Sequence, residues 1–150
     1  MTTKAVIFDF DGIIVDSERV KFKRLSLLLK TYNVILKKND FRAMIGKKTG
    51  AFLKQKFSSS LSSKEMAAIS RARRKDQTKN IRLYSRPITG VKRFIGFLHQ
   101  KKLLICIATG TKRSIVKKTL QIIQLQKYFG AIVTGLLSRN WLTSRNWFTG

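Results

Sequence analysis

The sequence predicts an α/β protein with a parallel sheet and an all-helical segment inserted after the first strand. Three short apolar runs end at polar residues or glycines, as buried parallel strands do; they cover residues 4–9, 103–108 and 131–134. A helical pattern separates the last two runs, and no strand pattern interrupts residues 34–80. Strands that alternate with helices favour right-handed crossovers within one sheet.

The helices are predicted from apolar spacing and from the residues at their boundaries. The first begins with Asp16 or Ser17 as its N-cap and ends near Asn33. Glycine and serine clusters separate three further helices, and a proline and a glycine break the chain before the last two. The expected ranges are 40–46, 50–57, 63–79, 90–100 and about 115–123. The predicted organisation is a core of residues 1–16 and 81–135, a helical cap of residues 17–80 and an atypical tail of residues 136–150.

The composition is that of a globular protein. Of the 150 residues 43% are hydrophobic, with one proline, nine glycines and one cysteine, which excludes collagen-like, disulfide-rich and low-complexity classes. The lone thiol, Cys106, cannot form an internal disulfide, so we expect a reducing compartment, the cytoplasm. The apolar runs are shorter than the roughly 18 residues that a membrane span needs, so no membrane partner is expected.

Positive charge dominates the sequence, and the few acids are concentrated in one place. Thirty-two Lys and Arg oppose seven Asp and Glu, and the net charge of +25 attracts phosphates and polyanions. Four of the seven acids, Asp9, Asp11, Asp16 and Glu18, stand within ten residues. Ligands of parallel α/β sheets sit outside the carboxyl ends of the strands, where Asp9 and Asp11 follow the first strand. Gly12 permits the turn that lets both carboxylates converge, which makes this the candidate catalytic site.

The segment Val6–Gly12 is an apolar strand followed by Asp-x-Asp-Gly, and it resembles the opening motif of the haloacid dehalogenase-like (HAD) hydrolase superfamily. Continued through Glu18, it is similar to the branch of phosphoglycolate phosphatases and β-phosphoglucomutases, which carry a helical cap after this motif. The resemblance implies a Rossmann-like core in which Asp9 is the nucleophile that forms an aspartyl-phosphate and Asp11 is general acid and then base. It also implies Mg²⁺ as cofactor, bound by the Asp9 carboxylate and the Asp11 backbone carbonyl.

Elementary chemistry supports these roles. A carboxylate attacks a phosphate only when a cation offsets the negative charge on the phosphoryl oxygens, and Mg²⁺ with oxygen ligands is suited to this. Close carboxylates drive their pKa values apart, so Asp11 can hold a proton for the leaving oxygen while Asp9 stays ionised. In the alternative interpretation both acids only cap a loop, but their position directly after a strand favours a site.

A second motif, Ile105–Lys112, follows the second predicted strand and resembles the family's strand that ends in Thr or Ser. The resemblance places Thr109 on the transferring phosphoryl group. The Thr109 hydroxyl and the backbone N–H groups of Gly110 and Thr111, just before a helix, would form an anion cradle that Lys112 supports. Plain helix caps contain the same residue types, and a solvated surface Lys112 is the alternative interpretation.

In the cap, Gly46, Lys47 and Lys48 look like the substrate-specificity loop of this branch, and a basic loop suits a small phosphorylated metabolite. Relatives that act on sugar phosphates often have a His shortly after the Asp-Ser-Glu, and mutase-type relatives an Arg near the cap glycine. Lys21 and Thr49 stand at these positions, which favours phosphatase over mutase chemistry.

The resemblance covers roughly residues 4–135 and lacks two of the family's four motifs. The third, a Lys in a Lys-Pro context, is missing because no Lys or Pro follows Lys127. The fourth, an acidic pair that completes the Mg²⁺ shell, is missing because no acid follows Asp76; the tail instead contains Ser-Arg-Asn-Trp twice. We therefore expect a shortened family member with an incomplete carboxyl end, weak Mg²⁺ binding, weak or no phosphatase activity and an exposed apolar sheet edge.

Two other functions compete with a Mg²⁺-dependent phosphatase. One is binding of nucleic acid or another polyanion through a basic stretch, although cations are spread along the whole sequence. Salt-dependent binding of nucleic acid without phosphatase activity would distinguish it. The other is an inactive remnant of a HAD hydrolase, because two motifs are missing. The basic stretch comprises Arg71, Arg73, Arg74, Lys75, Lys79, Arg82 and Arg86.

Overall fold

The computed structural model describes residues 4–135, which form three strands and six α-helices. Strand β1 is Ala5–Phe8, β2 is Leu104–Thr109 and β3 is Ala131–Thr134. Two 3₁₀ turns, Ile81–Tyr84 and Gln126–Tyr128, complete the element order. The helices are α1 Ser17–Lys30, α2 Asp40–Met44, α3 Thr49–Phe57, α4 Ser63–Lys79, α5 Val91–Gln100 and α6 Arg113–Ile122.

The chain divides into two compact units. The first contains the sheet with α5 and α6, and comprises the described residues up to Val15 and those from Ser85 onward. The second is Asp16–Tyr84 and contains α1 to α4. Within the first unit, the segments on either side of this insertion are joined, because the Ile88 N–H donates a hydrogen bond of 3.0 Å to the Ile14 carbonyl.

The strands form one parallel sheet in the order β1-β2-β3. Ile7 pairs with Cys106, and Thr109 pairs with Thr134. Apolar residues dominate β1 and β2, as expected for strands that helical crossovers connect in parallel. The predicted fold class is therefore confirmed: a parallel, Rossmann-like sheet with flanking helices.

One face of the sheet carries the core of the first unit. Burial alternates along β2, since successive side chains of a strand point to opposite faces. Phe8, Ile105 and Ile107 are at most 8% exposed and form one apolar cluster with α5 and α6. The helices contribute Val91, Ile95, Leu98, Val116 and Leu120 to this cluster.

The second unit has an apolar core of its own among its helices. Leu25 and Leu29 of α1, Leu53 of α3 and Ile69 of α4 have no exposed surface. Helix α4 begins with a capping box. The Ser62 hydroxyl oxygen accepts the backbone N–H of Glu65, and the Glu65 carboxylate accepts the backbone N–H of Ser62. The helical pattern predicted for this stretch thus corresponds to four helices.

The element boundaries differ from the predicted ones by a few residues, for local reasons. Helix α1 ends at Lys30, and Asn33 takes a positive φ of 56°, which a continuing helix does not allow. Asp16 is the N-cap residue, but its side chain makes no capping hydrogen bond. The two 3₁₀ turns were not predicted. None of the helices in residues 4–135 is long and apolar enough to cross a membrane.

Candidate functional site

The pairing of β1 with β2 brings the two predicted motifs together. Phe8 pairs with Ile107 in parallel register, so the chains leave both strands at the same edge of the sheet. We call residues 9–12 the aspartate loop and residues 109–112 the threonine loop. They are neighbours in the fold although 100 residues separate Asp11 from Thr111.

The aspartate loop closes on itself around a buried aromatic ring. Phe10 is 2% exposed and belongs to the core of the first unit. Its carbonyl accepts the N–H of Ile14 at 3.0 Å, and the N–H of Gly12 donates to Val15 O at 2.8 Å. Gly12 has a φ of 78°, in the left-handed region that favours glycine. Phe10 therefore anchors the loop, while the acid on each side of it stays outside the core.

Asp9 presents its carboxylate to solvent at the carboxyl end of β1. One oxygen is held in place, because the Phe10 backbone N–H donates to Asp9 Oδ1 at 2.6 Å. Among residues 4–135 the second oxygen, Oδ2, makes no hydrogen bond, so it is accessible to a ligand. The Asp9 carboxylate is thus held through one oxygen, and the residue is exposed.

Asp11 is joined to the threonine loop by a side-chain hydrogen bond. The Thr111 hydroxyl donates to Asp11 Oδ2 at 2.6 Å, and the half-buried position of both residues protects this bond from water. The sequence motif predicted a role only for the backbone N–H of Thr111, and not for its hydroxyl. The sequence did contain an indication of this role, because Thr111 places a second hydroxyl two residues beyond Thr109, at the end of the same strand.

Thr109 lies buried at the end of β2, 5% exposed. Its Oγ1 accepts the N–H of Thr111 at 3.2 Å, so this N–H, which was predicted to bind an anion directly, is directed at Thr109. Within the described residues the Thr109 hydroxyl donates to no partner, which leaves its proton for a ligand oxygen. Gly110 is exposed beside it, and the exposed Lys112 is the N-cap residue of the ten-residue helix α6.

The donors at this edge fit a hard cation such as Mg²⁺ in type and number. Mg²⁺ takes oxygen ligands, keeps several waters, and is bound by one or two carboxylates together with substrate phosphates. The aspartate loop supplies oxygen donors of this kind, the carboxylate of Asp9 and the backbone carbonyl of Asp11. In residues 4–135 no group of three or more acidic, His or Cys side chains gathers into a closed metal cage. The set therefore fits an open site, in which water or substrate completes the shell.

The predicted specificity loop lies in the second unit, between α2 and α3. Gly46 has a φ of 72°, which favours glycine there. The Lys47 ammonium donates to Gln55 Oε1 at 2.7 Å, and Lys48 is the exposed N-cap residue of α3. Both cations are thus presented on the surface of this unit.

The sequence matches a known protein family, and the fold is similar to solved structures. A family model described as haloacid dehalogenase-like hydrolase matches residues 6–140. The fold is similar to a β-phosphoglucomutase from Clostridium difficile (TM-score 0.74, 15% identity, 93% of this chain and 65% of that one). It is also similar to a predicted phosphoglycolate phosphatase from Haemophilus somnus (TM-score 0.74, 18% identity, 93% and 66%).

A third similar structure is a protein described as a HAD hydrolase, YfnB from Bacillus subtilis, bound to magnesium (TM-score 0.65, 18% identity, 89% of this chain and 66% of that one). At these identities the likeness concerns the fold. The chain spans about two thirds or less of the length of the solved structures that it matches. No curated protein matches the sequence.

Proposed function

Because the chain belongs to the haloacid dehalogenase-like hydrolase family, we propose that it hydrolyses phosphoric monoesters through an aspartyl-phosphate on Asp9, with a small phosphorylated metabolite as substrate. The observation that carries the proposal is the 2.6 Å hydrogen bond from the Thr111 hydroxyl to the Asp11 carboxylate. It ties the loop that bears both carboxylates to the loop that bears Thr109. The nucleophile, the proton donor and the anion-binding groups thereby share one edge of the sheet.

In the first step, Asp9 Oδ2 attacks the phosphorus atom while Oδ1 is held by the Phe10 N–H. The bond between phosphorus and the ester oxygen breaks, and the leaving oxygen takes a proton from Asp11. In the second step, Asp11 takes a proton from water, which attacks the phosphorus and releases inorganic phosphate and the Asp9 carboxylate.

The threonine loop serves the phosphoryl oxygens. The Thr109 hydroxyl and the Gly110 N–H donate to them, and Lys112 adds a positive charge beside the amino end of α6. Thr109 is buried, so its side chain loses little conformational entropy when its hydroxyl binds a phosphoryl oxygen. In the cap unit, Lys47 and Lys48 near Gly46 favour an anionic substrate.

The Asp9 carboxylate and the Asp11 carbonyl would hold Mg²⁺, which when bound offsets the negative charge of the phosphoryl oxygens. The sequence offers no acid beyond Asp76 to complete the shell and no Lys beyond Lys127 to take the place of the family's third motif. We therefore propose a slow enzyme, with turnover below the range of about 1 to 10³ s⁻¹ that is usual for enzymes.

Hydrolysis of p-nitrophenyl phosphate in Mg²⁺ tests the proposal. We expect slow turnover in the unmodified chain, loss of activity to background in Asp9→Asn, and little change in the control Asp16→Asn, an acid outside the site. A hydroxylamine-sensitive phosphate label should form on the unmodified chain and not on Asp9→Asn. An Asp11→Asn chain should still be labelled when the leaving group needs no proton, as nitrophenolate does not.

Equal activity of the unmodified chain and Asp9→Asn contradicts the assigned nucleophile, and turnover within the usual enzymatic range contradicts the proposed slow rate. Absence of both turnover and label identifies an inactive remnant.

Binding of a polyanion is the second candidate function, because Arg71, Arg74, Lys75 and Lys79 of α4 are all exposed. Asp76, the acid among them, is already paired with Arg24. Nucleic-acid affinity that falls steeply with salt, in a chain without turnover or label, favours this function.

A further inference from the structure

Within residues 4–135, the helices of the first unit leave one face of its sheet uncovered. Helices α5 and α6 both pack on the face of Phe8, Ile105 and Ile107. The side chains between these residues along the strands belong to the opposite face, because strand side chains alternate. The strand pairing aligns them across the sheet. This opposite face, here called the open face, comprises Ala5, Ile7, Leu104, Cys106, Ala108, Ala131 and Val133.

The open face is apolar and incompletely buried. Ile7 is 59% exposed and Leu104 49% exposed, against 0% for Ile107 on the covered face. All seven residues of the open face lack a charged or hydroxyl group. Parallel sheets occur almost always with both faces covered, and their strands are then apolar on both sides, as β2 is here. The strands therefore have the composition of a sheet that is covered on both faces.

We propose that residues 136–150 of the same chain, which lie outside the described residues, cover the open face. This segment follows β3 directly, and β3 contributes Ala131 and Val133 to the open face. Gly135, with a φ of 86°, provides the turn at the strand end. Six of the fifteen residues are large and apolar, and none is acidic. The six are Leu136, Leu137, Trp141, Leu142, Trp147 and Phe148.

The segment is long enough and its side chains suit the surface. Three strands span about 10 Å across the sheet, and six strand residues about 20 Å along it. Fifteen residues reach about 50 Å when extended and about 22 Å when helical, so either form crosses the face. The small side chains of Cys106, Ala108 and Ala131 leave room for the two indole rings.

A second copy of the chain fits the open face less well. Each chain carries a net charge of +25, so two copies repel each other when their sheets approach. Residues 136–150 are covalently joined to β3 through Gly135, so their effective concentration at the face exceeds that of a free partner. These observations favour the tail of the same chain over a partner chain.

Two probes in the intact chain report on this contact. Both tryptophans of the sequence, Trp141 and Trp147, lie in the tail, so intrinsic tryptophan emission reports on the tail alone. The one cysteine, Cys106, lies on the open face, so its alkylation by the uncharged reagent N-ethylmaleimide reports on access to the face. Acrylamide quenches the emission of exposed tryptophans. It is uncharged, so the net positive charge of the chain neither attracts nor repels it.

For the double variant Ile7→Gln with Ala131→Gln, we expect tryptophan emission to shift to longer wavelength and acrylamide quenching to rise about threefold as the rings become exposed. Ile35→Gln, at a residue 71% exposed in the second unit, is the matched control and should leave both unchanged. For Trp141→Ser with Trp147→Ser, we expect Cys106 to react about tenfold faster, and Trp141→Phe with Trp147→Phe should restore protection.

Far-UV circular dichroism establishes that each variant is folded. The proposal is overturned if the unmodified chain already shows the emission and quenching of a free indole. It is also overturned if Cys106 reacts equally fast in the unmodified chain and the Trp→Ser variant. Protection of Cys106 that increases with protein concentration, together with a dimeric mass, overturns it in favour of a second copy.

Discussion

Asp76 accepts hydrogen bonds from three side chains that hold the second unit together. Arg24 of α1 binds it through two guanidinium nitrogens, Asn80 donates to Oδ1 at 2.8 Å, and the Tyr84 hydroxyl donates to Oδ2 at 2.6 Å. The hydrogen bonds from Arg24 are the largest cause of a pKa of about 2 for this carboxyl, against 3.8 ordinarily; partial burial opposes the shift. Replacing Asp76 by Asn keeps the shape and removes the charge.

The size of the effect follows from the pKa. A difference of almost two units corresponds to about 2 kcal/mol of stabilisation near neutral pH, after a reduction for the Arg24 side chain, which is 35% exposed. The folded-state pKa is lower than the unfolded one, so the stabilisation is complete above pH 3.8 and is lost as the pH falls towards 2. At neutral pH the free energy of unfolding of Asp76→Asn should therefore be about 2 kcal/mol lower than that of the unmodified chain. In acid the two free energies of unfolding should become equal.

Urea unfolding followed by far-UV circular dichroism at several pH values measures this difference. Asp16→Asn is the control, because Asp16 lies 3.9 Å from an Arg19 side chain that is 80% exposed, and such pairs contribute about 0 to 1 kcal/mol. The charge-based explanation is refuted if Asp76→Asn loses the same free energy near pH 2 as near pH 7, since the loss would then come from packing. A loss no larger than that of the control refutes it too.

Three further predictions concern other parts of the chain. Burial raises the pKa of Tyr84, so its neutral form stabilises the fold below about pH 10 and this contribution is lost above that pH. An absorbance titration should show one tyrosine that ionises at higher pH than the others, and Tyr84→Phe should abolish this step. If the step persists in Tyr84→Phe, it belongs to another tyrosine. Ser62→Ala removes the capping box and should cost about 1 kcal/mol in urea unfolding, whereas Ser63→Ala, next to it, should cost less. Ile107→Ala, at a residue with no exposed surface, should cost about 3 kcal/mol, and a loss below about 1 kcal/mol contradicts its place in the core.

The sequence predicted what depends on local patterns. The strands and helices fall close to their expected ranges. Their boundaries depend on residues that are close in sequence, namely the apolar spacing and the breaks at Pro87 and Gly90. The hydrogen bond between Thr111 and Asp11, and the one between Arg24 and Asp76, join residues 100 and 52 positions apart. No local pattern contains such pairs, because only the packed fold places them within reach of each other.

The candidate site itself was predictable for a different reason. In a parallel sheet, pairing of two strands fixes which loops share an edge, so the register of Phe8 with Ile107 is sufficient to bring the aspartate and threonine loops together. The helical insertion does not disturb this register, because the flanking segments are joined at Val15 and Pro87 and at Ile14 and Ile88. Every residue of both loops belongs to the first unit. The arrangement of Asp9, Asp11 and Thr109 therefore depends on a single strand pair and the helices that cover one face of it.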